Sequence, residues 1–141
     1  MKTNELMIDD LVQEWNNDHT ETHIVKVEKP MREGVYDKWN HFHDADWIEP
    51  IPLTEEILEK NDFQRQEEER GFSEPYIVYV NEDYYYPIKI YPKGLMDKSH
   101  HLYVGDYDDD PFISLYINYV HELQHALRLV GLTEMADNLK V

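Results

Sequence analysis

The chain has 141 residues, with thirty Asp and Glu against thirteen Lys and Arg, a net charge of −17 and a pI near 4.6. It contains no cysteine, which excludes disulfides, thiolate metal sites and cysteine nucleophiles and fits a reducing cytoplasm. The length suits one domain with its own core, and three Trp, eleven Tyr and four Phe supply apolar area despite a mean hydropathy of −0.73. No apolar run approaches the roughly 20 residues of a membrane span. The start, MKTNELMIDD, lacks the charged and apolar regions of a signal peptide. Phosphate binding draws on Lys/Arg patches, which this sequence does not offer, so no direct nucleic-acid binding is expected. The acidity is read either as solubility or as a surface that docks on a basic protein, such as one that normally holds DNA.

In chain order, a short strand is expected at Leu11–Trp15, then a turn at Asn16-Asn17-Asp18-His19. Thr22–Glu28 is β-branched and alternating, hence a strand that Pro30 ends. A second short strand follows at Val35–Trp39. Residues 40–46, NHFHDAD, form a loop rich in His41, His43, Asp44 and Asp46. Trp47–Leu53 is extended, because Pro50 and Pro52 disfavour helix before them. Thr54 then caps a short helix carrying Glu55 and Glu56 in its first turn and ending near Asn61. Gln64–Arg70 is expected to be a solvated charged stretch. Tyr76–Val80 and Tyr84–Tyr91 read as a hairpin, with Pro87 marking an edge or bulge. His101–Val104 and Phe112–Ile117 are further strands around the acidic turn 105–111. Its Asp106, Asp108, Asp109 and Asp110 suggest calcium but lack the Gly and Glu spacing of an EF-hand loop. The tyrosines of the hairpin are mostly core and cross-strand pairs, with a tyrosine-rich contact surface as the other reading. Strand-rich stretches with helices at separate positions predict an α+β fold.

The last two dozen residues, Asn118 to Val141, hold the strongest helical periodicity and the string His121-Glu122-Leu123-Gln124-His125. H-E-x-x-H on a helix is the zincin signature, with His121 and His125 as metal ligands and Glu122 as catalytic base. Val120, Leu123, Ala126, Leu127 and Val130 make an apolar stripe, leaving His121, His125 and Arg128 on the other side to face a cleft or water. A catalytic zinc also needs a third protein ligand. The extended metzincin pattern would place Gly at position 128 and His at position 131, where this chain has Arg128 and Gly131. A later acid could only be Glu134 or Asp137, and an upstream donor among His41, His43, His100, His101 or an aspartate of the acidic turn has no sequence warrant.

Three blocks carry a resemblance: Asn4-Glu5-Leu6 with Ile8 and Leu11-Val12, then Ile51-Pro52-Leu53-Thr54-Glu55-Glu56-Ile57-Leu58, then Tyr119 to His125. Together they resemble a large family of small uncharacterised proteins from gut Bacteroidales, their mobile elements and phages. The resemblance implies no established activity. It implies a tail block of the form V-H-x-L-Q, in which the positions of Glu122 and His125 are often filled by residues unable to serve a zincin. It further implies a strongly bent, β-barrel-like subdomain in the first fifty residues. The chain departs from the commoner form at Met7 and Asp9-Asp10.

The expectations are therefore one domain over 1–141, with residues 1–53 a β-rich N-terminal subdomain and 54–141 one short helix, hairpin strands and the amphipathic tail helix. The expected function is non-enzymatic binding of another macromolecule, a protein with a basic surface, in a phage or mobile-element context, in its sharp form a DNA-mimic inhibitor. The alternative is a small zinc-dependent hydrolase. The expected location is cytoplasmic with no membrane association, and the sequence leaves oligomeric state open.

Overall fold

Among the described residues, short antiparallel strands are interspersed with three short α-helices and a 3₁₀ turn at Thr3–Glu5. The computed structural model describes residues 1–69, 71, 74–94, 97–105 and 112–141. The acidic turn with Asp106, Asp108, Asp109 and Asp110 lies outside the described residues. The fold is α+β, as expected, and its chain groups into two compact units. One comprises residues 1–52 and 119–138, the other residues 53–118 and 139–141. The tail helices group with the first unit.

In the first unit, strands β1 (Leu11–Trp15), β2 (Thr22–Lys26) and β6 (Ile48–Pro50) form one three-stranded sheet in the order β2-β1-β6. Strands β3 (Lys29–Met31), β4 (Gly34–Tyr36) and β5 (Phe42–Asp44) form a second, in the order β3-β4-β5. The expected barrel-like subdomain thus consists of two sheets, without a closed barrel. Pro30 does not end the β structure; it sits opposite Val35 on the edge strand β3, where its missing N–H costs no ladder bond to a further strand. The histidine-rich stretch expected as a loop contains β5, paired with β4 through His43 and Val35. Its close approach requires Gly34, since a Cβ there would collide with the His43 carbonyl and with the Phe42 ring 2.8 Å away. Leu6, Val12, Val25, Val27, Val35 and Ile48 form the core, each full burial contributing about 1.5–3 kcal/mol.

The tail is two helices, α2 (Val120–Leu129) and α3 (Thr133–Asp137), where periodicity alone suggested one. Gly131 takes a left-handed backbone (φ +83°). Its N–H donates to Arg128 O at 3.0 Å, and the Leu132 N–H donates to Leu127 O at 2.9 Å. That pair of bonds is a Schellman stop, and it fixes where α2 ends.

In the second unit, helix α1 (Glu55–Lys60) starts as the sequence predicts. The Ile57 N–H donates to Thr54 Oγ1 at 3.2 Å, and Glu55 and Glu56 complement the helix N-terminus. Strands β7 (Gln64–Glu68), β8 (Tyr76–Asn81), β9 (Ile88–Tyr91), β10 (His100–Val104) and β11 (Ile113–Ile117) form an antiparallel sheet in the order β11-β10-β9-β8-β7. The stretch expected to be merely solvated is therefore an edge strand, a position where charged side chains discourage further strand pairing. The second hairpin strand begins only after Pro87. Val78, Ile88, Ile90 and Leu102 are fully buried in this unit. Buried His100 is satisfied on both nitrogens: Nδ1 accepts from the Lys93 N–H at 3.1 Å, so Nε2–H donates to Leu53 O at 2.9 Å. Burial pushes its pKa below the usual histidine value, although the Leu53 carbonyl pulls the other way. Asn61 donates to Lys140 O and accepts from the Lys140 N–H, which ties residues 139–141 to this unit. Among the described residues no helix is long and apolar enough to cross a membrane.

Candidate functional site

Helix α2 buries Val120, Leu123, Ala126 and Leu127 of the predicted stripe, while Val130 is the half-buried C-cap. Its polar face is also engaged. Gln124 is fully buried, its Oε1 accepting from the Leu11 N–H and its Nε2 donating to Asp9 O and Ala136 O, each at 2.9 Å. One side chain thus joins α2 to the start of β1 and to α3.

Asp10 is the second joint. It is 0% exposed and lies 2.7 Å from His125 Nε2 and 2.5 Å from Arg128 Nη1, while its Oδ2 accepts from the Met7 N–H at 2.8 Å. Arg128 extends to Asp137 Oδ1 at 3.0 Å. Burial works against the guanidinium charge, but the hydrogen bonds to Asp10 and Asp137 outweigh it and raise the Arg128 pKa.

The three motif residues are placed as follows. His121 is 4% exposed, not facing open water, and stacks on Tyr119 at 5.8 Å. Burial lowers its pKa below 6.5, with Asp10 and Glu122 opposing. Its Nδ1 has no hydrogen-bond partner among the described residues. Glu122 accepts from the Tyr119 N–H at 3.1 Å, occupying an otherwise unpaired donor at the helix start. His125 faces Asp10. The rings of His121 and His125 are 5.7 Å apart, nearly perpendicular.

Among the described residues, one group of three His, Asp or Glu side chains brings one donor atom from each within 4.8 Å of the others: Glu14, His23 and His43. His121 and His125 are not in it. Sequence spacing does hold one clue to this group. Glu14 and His23 flank the turn at residues 16–21 and become register partners, whereas His43 arrives from the other sheet.

A third constellation lies on the outer face of the five-stranded sheet. Tyr116, His101, Tyr103 and Tyr91 form a ladder across β11, β10 and β9. Successive ring centroids are 4.3, 4.0 and 5.5 Å apart, the first two pairs inclined by 22° and 39° and the last edge-on. His101 is held by Ser114 Oγ at 2.8 Å and by the Tyr103 hydroxyl at 2.9 Å. Burial lowers its pKa below the usual histidine value although Asp97 opposes. The Tyr91 hydroxyl donates to Glu68 Oε2 at 2.8 Å, and Lys89 Nζ donates to Glu68 Oε1 at 3.2 Å. The ladder lines a groove of about 430 Å³, with Tyr76, Glu55 and Asp97 among its other walls. The alternation of β9 and β10 signals these rings, but their common face depends on the register His101↔Tyr91 and His101↔Tyr116.

The chain matches no family model, no curated protein and no solved structure.

Proposed function

We propose that this chain is a non-enzymatic acidic protein that binds another protein through a basic surface. The observation that carries the reading is the tyrosine-lined groove with Glu55 and Asp97 at its walls, on a chain of net charge −17. Tyr presents a broad, rigid ring with little side-chain entropy to lose, which suits an interface anchor. A Lys or Arg head seated on a ring gains about 0.5–1 kcal/mol at an exposed site. The nearby carboxylates add attraction that salt screens, and the long-range field steers a cationic partner in. The phage or mobile-element setting of that partner is part of the proposal and rests on the resemblance of the Ile51–Leu58 and Tyr119–His125 blocks alone; the sharp form of the proposal is inhibition of a DNA-binding protein by charge mimicry. Cytoplasmic location belongs to the same proposal.

The test is capture of partners from host lysate at low and high salt, beside Tyr116→Ser and Asp97→Asn. Support is a partner lost at high salt and weakened in both variants; Tyr116 is 72% exposed, so its replacement leaves the fold in place. Capture that ignores salt and both variants counts against the reading.

The zinc-hydrolase alternative keeps one observation in its favour, the unpartnered Nδ1 of buried His121. It requires His125 to leave Asp10 and Glu122 to leave the Tyr119 N–H. Metal analysis of tag-free protein beside the His121→Ala/His125→Ala double variant tests it, and stoichiometric zinc lost in that variant would reverse the ranking.

A further inference from the structure

We propose that Glu14, His23 and His43 form a binding site for a divalent transition metal of the zinc class, with Asp37 orienting His43 from behind. Glu14 Oε2 lies 2.9 Å from His23 Nε2 and 2.8 Å from His43 Nδ1, so two imidazoles converge on one carboxylate oxygen. The far nitrogen of His43, Nε2, lies 3.2 Å from Asp37 Oδ2. Asp37 is a committed acceptor. Its Oδ1 accepts from the Trp39 and His41 backbone N–H groups, at 2.9 Å each.

The donor count is what demands a cation. A neutral imidazole carries one N–H. If His43 gives it from Nε2 to Asp37, then Nδ1 turns a lone pair toward the Glu14 carboxylate, and two acceptors stand 2.8 Å apart. A metal ion satisfies both at once. The carboxylate–histidine–metal relay is also the usual way a protein fixes a ligating ring, with the nitrogen remote from the metal bonded to an acid. Two nitrogen donors and one oxygen favour Zn²⁺ and its neighbours over Mg²⁺ or Ca²⁺. Tetrahedral ligands about 2.0–2.1 Å from zinc stand about 3.3 Å from each other. The two spacings to Glu14, 2.9 and 2.8 Å, need to open by about half an ångström, and the three donor atoms already lie within 4.8 Å of one another. His23, whose side chain is 58% exposed, makes the open side, where water completes the coordination.

The three ligands come from β1, β2 and β5, so the ion would clasp the two three-stranded sheets of the first unit. This site is independent of the partner-binding groove and of the tail-helix histidines.

The experiment uses the full chain without an affinity tag, stripped with EDTA and titrated calorimetrically with ZnCl₂ in excess MgCl₂. A thermal melt with and without zinc runs beside it. The expected result is one equivalent of Zn²⁺, a melting temperature raised by several degrees, and loss of both effects in His23→Gln and His43→Gln. Because His23 is an exposed strand residue, its variant stays folded and keeps the test decisive. Asp37→Asn should weaken binding about 10- to 100-fold while keeping the stoichiometry, the behaviour of a positioning residue. His125→Gln should retain the equivalent. Zinc that Mg²⁺ displaces, that persists undiminished in His23→Gln, or that is lost in His125→Gln instead would overturn the assignment. So would no zinc uptake.

Discussion

Replacing Gln124 by Leu isolates the contribution of the polar face of α2. The side chains are of similar size, so little cavity forms, but three main-chain groups lose their partner: the Leu11 N–H, Ala136 O and Asp9 O. The first two bonds are buried and the third partly so. Stranding a buried polar group costs about 1–3 kcal/mol. Two full penalties and a fraction of a third come to about 3–5 kcal/mol, of which the more apolar Leu returns about 1–2 kcal/mol. The net loss should be about 2–3 kcal/mol, a large part of the ~5–15 kcal/mol that stabilises a domain. All three tryptophans, Trp15, Trp39 and Trp47, lie in the first unit, so fluorescence in a urea titration reports that unit alone. With a slope of ~1–3 kcal/mol per molar urea, the midpoint should fall by about 1–2 M. A midpoint within about 0.3 M of the parent would mean that the Gln124 bonds do not hold helix and strands together.

Asp10→Asn should cost about 3 kcal/mol by the same assay, the lower end for a broken buried pair, because Arg128 keeps Asp137. Adding Arg128→Met should recover much of it, and a double variant worse than the sum of the singles would contradict the pairing. Gly34→Ala should destabilise the first unit by about 1–3 kcal/mol, since the blocking atom is the backbone carbonyl of His43; an unchanged melt would show that β4 and β5 are not so closely apposed. The pH dependence follows from buried His121, whose folded pKa lies below 6.5. Below that value the unfolded chain takes up a proton that the folded one does not, so this stability is fully present above 6.5 and is lost as pH falls through the lowered folded value. His121→Phe should therefore lose less stability than the parent on acidification, a comparison in which the general acidic repulsion cancels. Equal losses would indicate that His121 is solvated.

What the sequence made legible was local chemistry. Thr54 with Glu55 and Glu56 announced α1 and the apolar stripe announced α2, whereas Pro87 pointed to an edge or bulge and β9, which starts just after it, pairs with strands on both sides. The edge strand β7 was hidden because Gln64–Glu68 has no apolar alternation; it is a strand through pairing with β8, which no local pattern encodes. The end of α2 is written in Gly131, whose left-handed backbone stops the helix. The candidate sites were less legible, since their geometry comes from partners distant in the chain. The helical wheel separated His121, His125 and Arg128 from the apolar stripe, but a polar face is exposed only if nothing polar is buried opposite it. Here Asp10, 115 residues before His125, is opposite it. His43 in turn reaches Glu14 only through the juxtaposition of two sheets.

The most direct measurement of the binding proposal is a ¹H–¹⁵N and aromatic ¹H–¹³C spectrum of the full chain titrated with an arginine-rich peptide. The account predicts shifts concentrated on Tyr116, His101, Tyr103, Tyr91 and Asp97, reversed by salt, with Tyr116→Ser weakening binding about 2- to 5-fold, the equivalent of one exposed cation–π contact. Shifts scattered over the acidic surface with no change at the tyrosine ladder would contradict it.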